Sequence, residues 1–336
     1  MAARSLRIAL MMFLVSACGG LSIAQETGAG LNLPADPGAW LNSCPITAEM
    51  LQGKAALLYY FEETCPKCRA RWPSLLETAK QFEDKPIVFI AVNSGNGRDD
   101  VAAYAREVKL NWPIIVDSSR QFEKASGLSN EISLQNIFQV RLVTADGRMR
   151  PGDWQDIAAS AEKALIGAKW KIDPAGIPPQ LQYVHRGLEF NIMSAVPGPL
   201  KAGLTSKDAA VKASAEHLNG LVQAKITADV DAAKAAYAAG EKWKSFKMLN
   251  ALAVQYAGLD LPDSVNKAKT ALAADEAVRN QLNAQRELDS LKKRARTASP
   301  TAQRGLVAKL KEFAEKFAET EAGAEAKALL ASLPQN

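Results

Sequence analysis

The stretch Ala55-Ala-Leu-Leu-Tyr-Tyr-Phe61 is an unbroken apolar run, and just past its end the chain reads Cys65-Pro66-Lys67-Cys68 before a helical pattern begins. An apolar run of this kind bounded by polar residues reads as a buried strand. A strand that leads through Cys-x-x-Cys into a helix aims both sulfurs at the first helical turn. There the unpaired backbone N–H groups and the positive end of the helix dipole favour thiolate. Two thiols so placed suit reversible thiol–disulfide exchange. The same pair is also compatible with half of a zinc site or with an inert structural bridge. A structural zinc takes four Cys or His ligands. The other cysteines are Cys18 and Cys44, and the only histidines, His185 and His217, lie far along the chain in helical patterns. No metal and no cofactor is expected, and Cys–His or Ser–His catalysis finds no histidine in the first half of the chain.

The N-terminus combines Arg4 and Arg7 with an apolar stretch from Ile8 to Val15 that small residues then end. This is the pattern of a secretory signal, too short for the roughly 20 apolar residues of a bilayer span. Two cleavage sites compete. Val15-Ser16-Ala17-Cys18 resembles a bacterial lipobox, which would leave Cys18 as a lipidated first residue; Ser22-Ile23-Ala24 fits ordinary signal peptidase. The lipobox is preferred because the apolar stretch stops directly before it. Either reading sends the protein to the periplasm or cell envelope, where disulfides persist. Cys44 then remains as a lone or half-buried thiol, or an accessory resolving one. The formal charge of +5 over 336 residues is mild and no basic stripe with interleaved aromatics occurs, so nucleic acid is not an expected partner.

Residues 1–24 read as signal peptide and 25–38, with Gly28, Gly30, Pro34, Pro37 and Gly38, as a linker. From 39 to 170, strands (55–61, 87–92, 113–116 and a hairpin across Asp146-Gly147) alternate with helices (66–82, 99–110, 120–126, 156–169), which implies an α/β sheet ending in an antiparallel hairpin. A second linker is expected over 171–180, where Pro174, Gly176, Pro178 and Pro179 break the pattern. Residues 181–336 are rich in Ala, Leu, Lys and Glu and predict an all-α domain with helices over 181–193, 206–222, 227–239, 241–257, 263–296 and 301–331. Two of its stretches, 247–273 and 308–331, look alike and resemble tetratricopeptide-type helix pairs.

Taken together, the buried strand, Cys65 and Cys68 at a helix start, and Pro73 five residues after Cys68 resemble a thioredoxin fold. The 99–110 helix, the Pro113-Ile-Ile-Val116 strand and the Leu142–Arg148 hairpin narrow the resemblance to exported TlpA/ResA-type thioredoxins. The resemblance implies a central mixed sheet flanked by helices, with Cys65 as the exposed attacking thiol, Cys68 as the resolving thiol, and Thr64, Pro66 and Lys67 completing the active-site loop. It also implies a loop facing the cysteines that carries a cis-proline in the family. Counting back from Asp146-Gly147 puts Phe138 in that slot, after Ile137, and no proline occurs between Pro113 and Pro151. A cis bond before a non-proline residue costs about 2.5–4 kcal/mol, so this loop is expected to be trans or rebuilt. Tyr59 stands where thioredoxin has a buried acid, and Thr64 where it has a tryptophan. Lys67, Arg69 and Arg71 favour the Cys65 thiolate, with Glu62 and Glu63 opposing as exposed, screened acids.

The leading expectation is an exported thiol–disulfide oxidoreductase acting on protein thiols and disulfides, touching a membrane only through a lipid on Cys18. The alternative is a non-catalytic thioredoxin-like scaffold whose helical domain binds a protein partner. A thiol peroxidase is disfavoured, because no threonine and arginine setting of the peroxiredoxin type surrounds the cysteines.

Overall fold

The computed structural model describes residues 31–128, 132–297 and 300–332. The expected signal peptide, the lipobox ending at Cys18 and the alternative cleavage after Ala24 lie outside the described residues.

The first half contains, in order, β1 (Trp40–Leu41), α1 (Ala48–Leu51), β2 (Ala55–Phe61), α2 (Pro66–Lys80), β3 (Ile87–Ser94), α3 (Arg98–Glu107), β4 (Ile114–Asp117), α4 (Gln121–Ala125), β5 (Val140–Val143), β6 (Met149–Pro151) and α5 (Ile157–Leu165). The sheet order is β1-β4-β3-β2-β5-β6. Strands β2, β3 and β4 run parallel, while β1, β5 and β6 are each antiparallel to their neighbour. Every residue of β2, β3 and β4 is buried, as strands covered by helices on both faces must be. This mixed sheet with flanking helices is a thioredoxin fold. Because β2, β3 and β4 are parallel, their C-terminal ends share one edge. The loops leaving that edge carry Cys65, the start of α3 and Arg120.

Local chemistry explains the element boundaries. Asp156 caps α5 by accepting from the Ala159 N–H at 2.8 Å. The β5–β6 turn closes with the Thr144 N–H donating to the Arg148 carbonyl at 3.0 Å, and Gly147 supplies the φ of +77° that this turn needs. In this half, β1 and α1, with two and four residues, escaped the sequence reading. Neither is long enough to show a period.

The second half is α6 (Gln182–Phe190), α7 (Pro197–Leu204), α8 (Ala209–Ala238), α9 (Lys242–Gln255), α10 (Asp263–Ala274), α11 (Glu276–Thr297), α12 (Pro300–Lys316) and α13 (Glu321–Ser332). The structure joins the two helices expected over 206–222 and 227–239 into one, α8, of 30 residues. Its buried stripe, Val211, Ala215, Leu218, Val222, Ile226, Val230 and Ala233, passes through the supposed break without losing its face. Pro197 and Pro199 begin α7, a helix absent from the sequence reading, at positions where a missing N–H removes no helical bond.

The two halves are locked together through α6. Phe190 belongs to the same buried cluster as the sheet. The Arg186 guanidinium donates to the carbonyls of Glu83 (2.7 Å), Lys85 and Ile87 (both 3.1 Å), tying α6 to the turn after α2. At the start of β2, the Lys54 ammonium donates to the Glu189 carbonyl at 2.5 Å and to its carboxylate at 2.6 Å, and both side chains are 1% exposed. The other carboxylate oxygen accepts from the Ile172 N–H at 2.5 Å. Removing one partner of such a pair leaves a buried charge uncompensated. Glu189→Gln or Lys54→Met should therefore each cost about 3–5 kcal/mol in denaturant unfolding. The double change Lys54→Met with Glu189→Leu should recover most of that loss; single changes without effect would show that the pair does not hold the halves together.

Candidate functional site

Strand β2 delivers the chain to the site. After Phe61, residues Glu62 to Thr64 turn, with the Cys65 N–H donating to the Glu62 carbonyl at 3.2 Å. Cys65 is the N-cap of α2 in extended backbone, and Pro66 takes the first helical position. The Cys65 sulfur accepts the Cys68 N–H at 3.1 Å, doing for this helix what a serine or aspartate oxygen does for others. Cys44, Cys65 and Cys68 are all unpaired thiols.

Both cysteines are buried, against the expectation of an exposed Cys65. Cys65 was expected to be exposed, yet it is only 3% exposed, and Cys68 is fully enclosed. The site is therefore recessed behind a rim of exposed residues, Thr64, Pro66 and Lys67. Burial pushes the Cys68 thiol up to about 12, and its hydrogen bond to Cys65 pushes in the same direction. Beneath the pair lies an aromatic floor. The Trp72 ring meets Tyr59 at 5.6 Å, Phe61 at 5.2 Å and Trp112 at 5.7 Å, all edge-on, and its indole N–H donates to the Tyr104 hydroxyl at 2.9 Å. Tyr104 is raised to about 12 and Tyr59 is also raised, both chiefly by burial. A dry aromatic floor disfavours charge, which keeps Cys68 a thiol until its partner sulfur reacts.

The charges near the pair are arranged differently from the sequence reading. Glu62 is half-buried and paired with Arg120 at 3.1 Å, not an exposed, screened acid. Arg120, in the left-handed region with φ 59°, also holds Glu123 at 3.1 Å and the Ile132 carbonyl at 2.7 Å. Arg69 is engaged by Glu107 on α3. Arg71 turns instead to the Trp154 carbonyl at 2.7 Å. Only Lys67 of the three expected cations stands exposed beside Cys65 without a carboxylate partner among the described residues.

The loop holding Ile137 and Phe138 has no cis peptide. Cis peptide bonds are absent among the described residues, so Ile137–Phe138 is trans. Ile137 is buried in the core; Phe138 stacks on Trp154 with centroids 4.6 Å apart and planes 14° from parallel. The Gln139 carbonyl accepts the Tyr60 N–H at 3.1 Å, which ties this loop to the end of β2. Sequence reasoning missed Trp154 and the turn of Arg71 toward it. A tryptophan within the polar turn Gly152-Asp153-Trp154-Gln155 has no place in a periodic core pattern, and that oddity was the available signal.

Cys44 packs elsewhere. Its sulfur lies 4.0 Å from the Ala251 carbonyl on α9, and burial raises its thiol to about 12. No group of three or more His, Cys, Asp or Glu side chains among the described residues is arranged to hold a metal ion.

Fold and site together define a thioredoxin-like domain carrying a Cys-x-x-Cys pair at the start of a helix. Residues 37–150 match the AhpC/TSA family model. The chain is 27% identical over 79 residues to the thiol-disulfide oxidoreductase ResA of Bacillus subtilis (strain 168), a match covering 24% of this chain and 44% of that relative. The chain thus spans less than half the length of this curated relative. Among solved structures, a thioredoxin-family thiol:disulfide interchange protein from Chlorobium tepidum TLS aligns with TM-score 0.34 and 18% identity, covering 41% of this chain and 96% of its own. A secreted Mycobacterium tuberculosis disulfide oxidoreductase aligns with TM-score 0.30 and 17% identity, covering 36% and 89%.

The raised thiols of Cys68 and Cys44 have a direct chemical readout. A thiol held near 12 is ionised in only about one molecule in ten thousand at pH 8, so Cys68 and Cys44 should resist a small alkylating agent while Cys65 reacts first. Since both values are raised, labelling of Cys68 and Cys44 should climb about tenfold per pH unit through the alkaline range. Mass spectrometry after timed iodoacetamide treatment of the folded chain checks the order; equal rates at the three sites would contradict it.

Proposed function

We propose that this protein is an exported thiol–disulfide oxidoreductase acting on protein thiols and disulfides through Cys65 and Cys68. The carrying observation is the Cys65 sulfur at the N-terminus of α2, receiving the Cys68 N–H at 3.1 Å while Cys68 waits fully buried one turn on. In the reducing direction, the Cys65 thiolate attacks one sulfur of a substrate disulfide. A Cys65–substrate disulfide forms, and the other substrate sulfur leaves as a thiolate that takes up a proton. Cys68 then gives up its proton and attacks the Cys65 sulfur, forming the Cys65–Cys68 disulfide and releasing the second substrate thiol. Two electrons pass from the cysteine pair to the substrate; the oxidising direction is the reverse. Thr64, Pro66 and Lys67 form the rim through which substrate enters.

Several features support the wider reading. The Arg4 and Arg7 start, the apolar stretch and Cys18 in a lipobox-like context fit export to the periplasm or envelope, with a lipid on Cys18 as the membrane contact. The likeness to ResA supports the reaction class. The helical half, with paired α9–α10 and α12–α13, offers a surface for a protein partner. The scaffold alternative draws on the recessed Cys65 and the missing proline, so the test must separate the two.

The full chain should be used, since cutting at Pro178 would strip Glu189 from the buried Lys54. Wild type should reduce insulin disulfides in the presence of dithiothreitol well above background, and Cys65→Ser should fall to background. Cys68→Ser should accumulate a mixed disulfide through Cys65 that dithiothreitol releases. Wild type no faster than Cys65→Ser would favour the scaffold.

A further inference from the structure

The loop holding Phe138 offers more than a filled gap. Cys65, Cys68 and Arg71 are spaced three residues apart along α2, an oblique stripe that winds about 60° per step round the helix and brings the Arg71 guanidinium to 6.0 Å from the Tyr59 ring centroid. The register Tyr59 to Val140 between β2 and β5 carries Phe138 to the level of Phe61, where β2 hands over to the Cys65 loop. Helix stripe and sheet end therefore converge. Where they meet, the Arg71 guanidinium lies 5.3 Å from the Phe138 ring centroid and 5.1 Å from that of Trp154, with its hydrogen bond to the Trp154 carbonyl fixing its plane.

Three properties of this cluster point outward. Phe138, Trp154 and Arg71 are each only partly buried, so the stack keeps an open face at the end of β2 that leads into the Cys65 loop. Arg71 pairs with no carboxylate among the described residues, in contrast to Arg69 with Glu107 and Arg120 with Glu62 and Glu123. Exposed Lys67 adds a second positive charge on the same rim. A planar aromatic shelf with an uncompensated guanidinium at its edge complements an apolar side chain next to a carboxylate. The recess adds a shape requirement: a sulfur reaches Cys65 only from an extended, protruding segment.

We propose that Arg71, Phe138 and Trp154 are the substrate-reading wall of the Cys65 site, selecting an extended polypeptide segment whose cysteine is flanked by an apolar and an acidic residue. The aromatic pair takes the apolar side chain and Arg71 the carboxylate, so Arg71 acts as a specificity residue and leaves the sulfur chemistry to the cysteines. This rests on the redox reading above.

The test measures kcat/KM of the full chain for two peptide disulfides that differ only in Glu or Lys beside an aromatic-flanked cysteine. Wild type should prefer the Glu peptide about fivefold, the range of a partly exposed charge pair. Arg71→Glu should reverse the order, and Arg71→Gln, which keeps a donor for the Trp154 carbonyl, should bring the two rates together. Trp154→Ala should raise KM more for the aromatic-flanked peptide than for one with glycine in that place. Ratios cancel any general loss of activity, so a merely structural role would leave them unmoved. The same Glu-over-Lys ratio in wild type and Arg71→Gln would overturn the wall while leaving the redox reading intact. Wild type exchanging with neither peptide faster than Cys65→Ser would bring down both.

Discussion

The hydrogen bond from the Cys68 N–H to the Cys65 sulfur is where fold and chemistry become one constraint. It exists because Cys65 ends the turn from β2 in extended backbone while Pro66 starts α2 with no N–H to satisfy. β2 in turn is held at the centre of the sheet, paired to β3 on one side and β5 on the other, with every residue buried. The sulfur thereby replaces the oxygen of an ordinary helix cap and sits at the positive end of the helix dipole. Cys68, one turn on, has its thiol raised to about 12 by burial over Trp72, Tyr59 and Tyr104. One helix start thus gives two chemically unlike thiols, which a stepwise exchange requires.

The helical half is built into the sheet rather than hung from it. Phe190 shares the sheet's core, Arg186 collects the carbonyls after α2, and Glu189 neutralises Lys54 at the foot of β2. Because Lys54 immediately precedes β2, this ion pair and the active-site loop sit at opposite ends of one strand. Asn191 extends the same attachment, donating to the Pro45 carbonyl at 3.1 Å and accepting from Gln255 on α9 at 2.7 Å. α6 is therefore packed into the sheet domain, although Pro174, Gly176, Pro178 and Pro179 break the pattern just before it.

Much of this was legible in the residues because strong local signals agreed with the fold. Ala55–Phe61 is a strand at the bounds the apolar run marks, and Asp146-Gly147 turns the hairpin as its residues require. The Cys-x-x-Cys pair with Pro73 pointed to the fold class that the structure has. What stayed hidden depends on distant partners. Nothing local tells that Glu189, on a helix beyond four breaker residues, neutralises Lys54. Nor does spacing reveal that Arg71 leaves the thiols for Trp154, or that Glu62 is taken by Arg120. From the sequence, one helix is expected to end at 222 and the next to begin at 227, whereas the face containing Val222 and Ile226 runs on unbroken through α8. The burial of Cys65, 3% exposed, was likewise not legible, since position at a helix start does not set exposure.

The equilibrium reduction potential of the Cys65–Cys68 pair, measured on the full chain in glutathione redox buffers, probes the central claim most directly. A pair that cycles should equilibrate within the roughly −270 to −120 mV span of working dithiols of this kind. A potential below about −300 mV, the range of structural bridges, would contradict it, as would failure of the two sulfurs to form a bond at all.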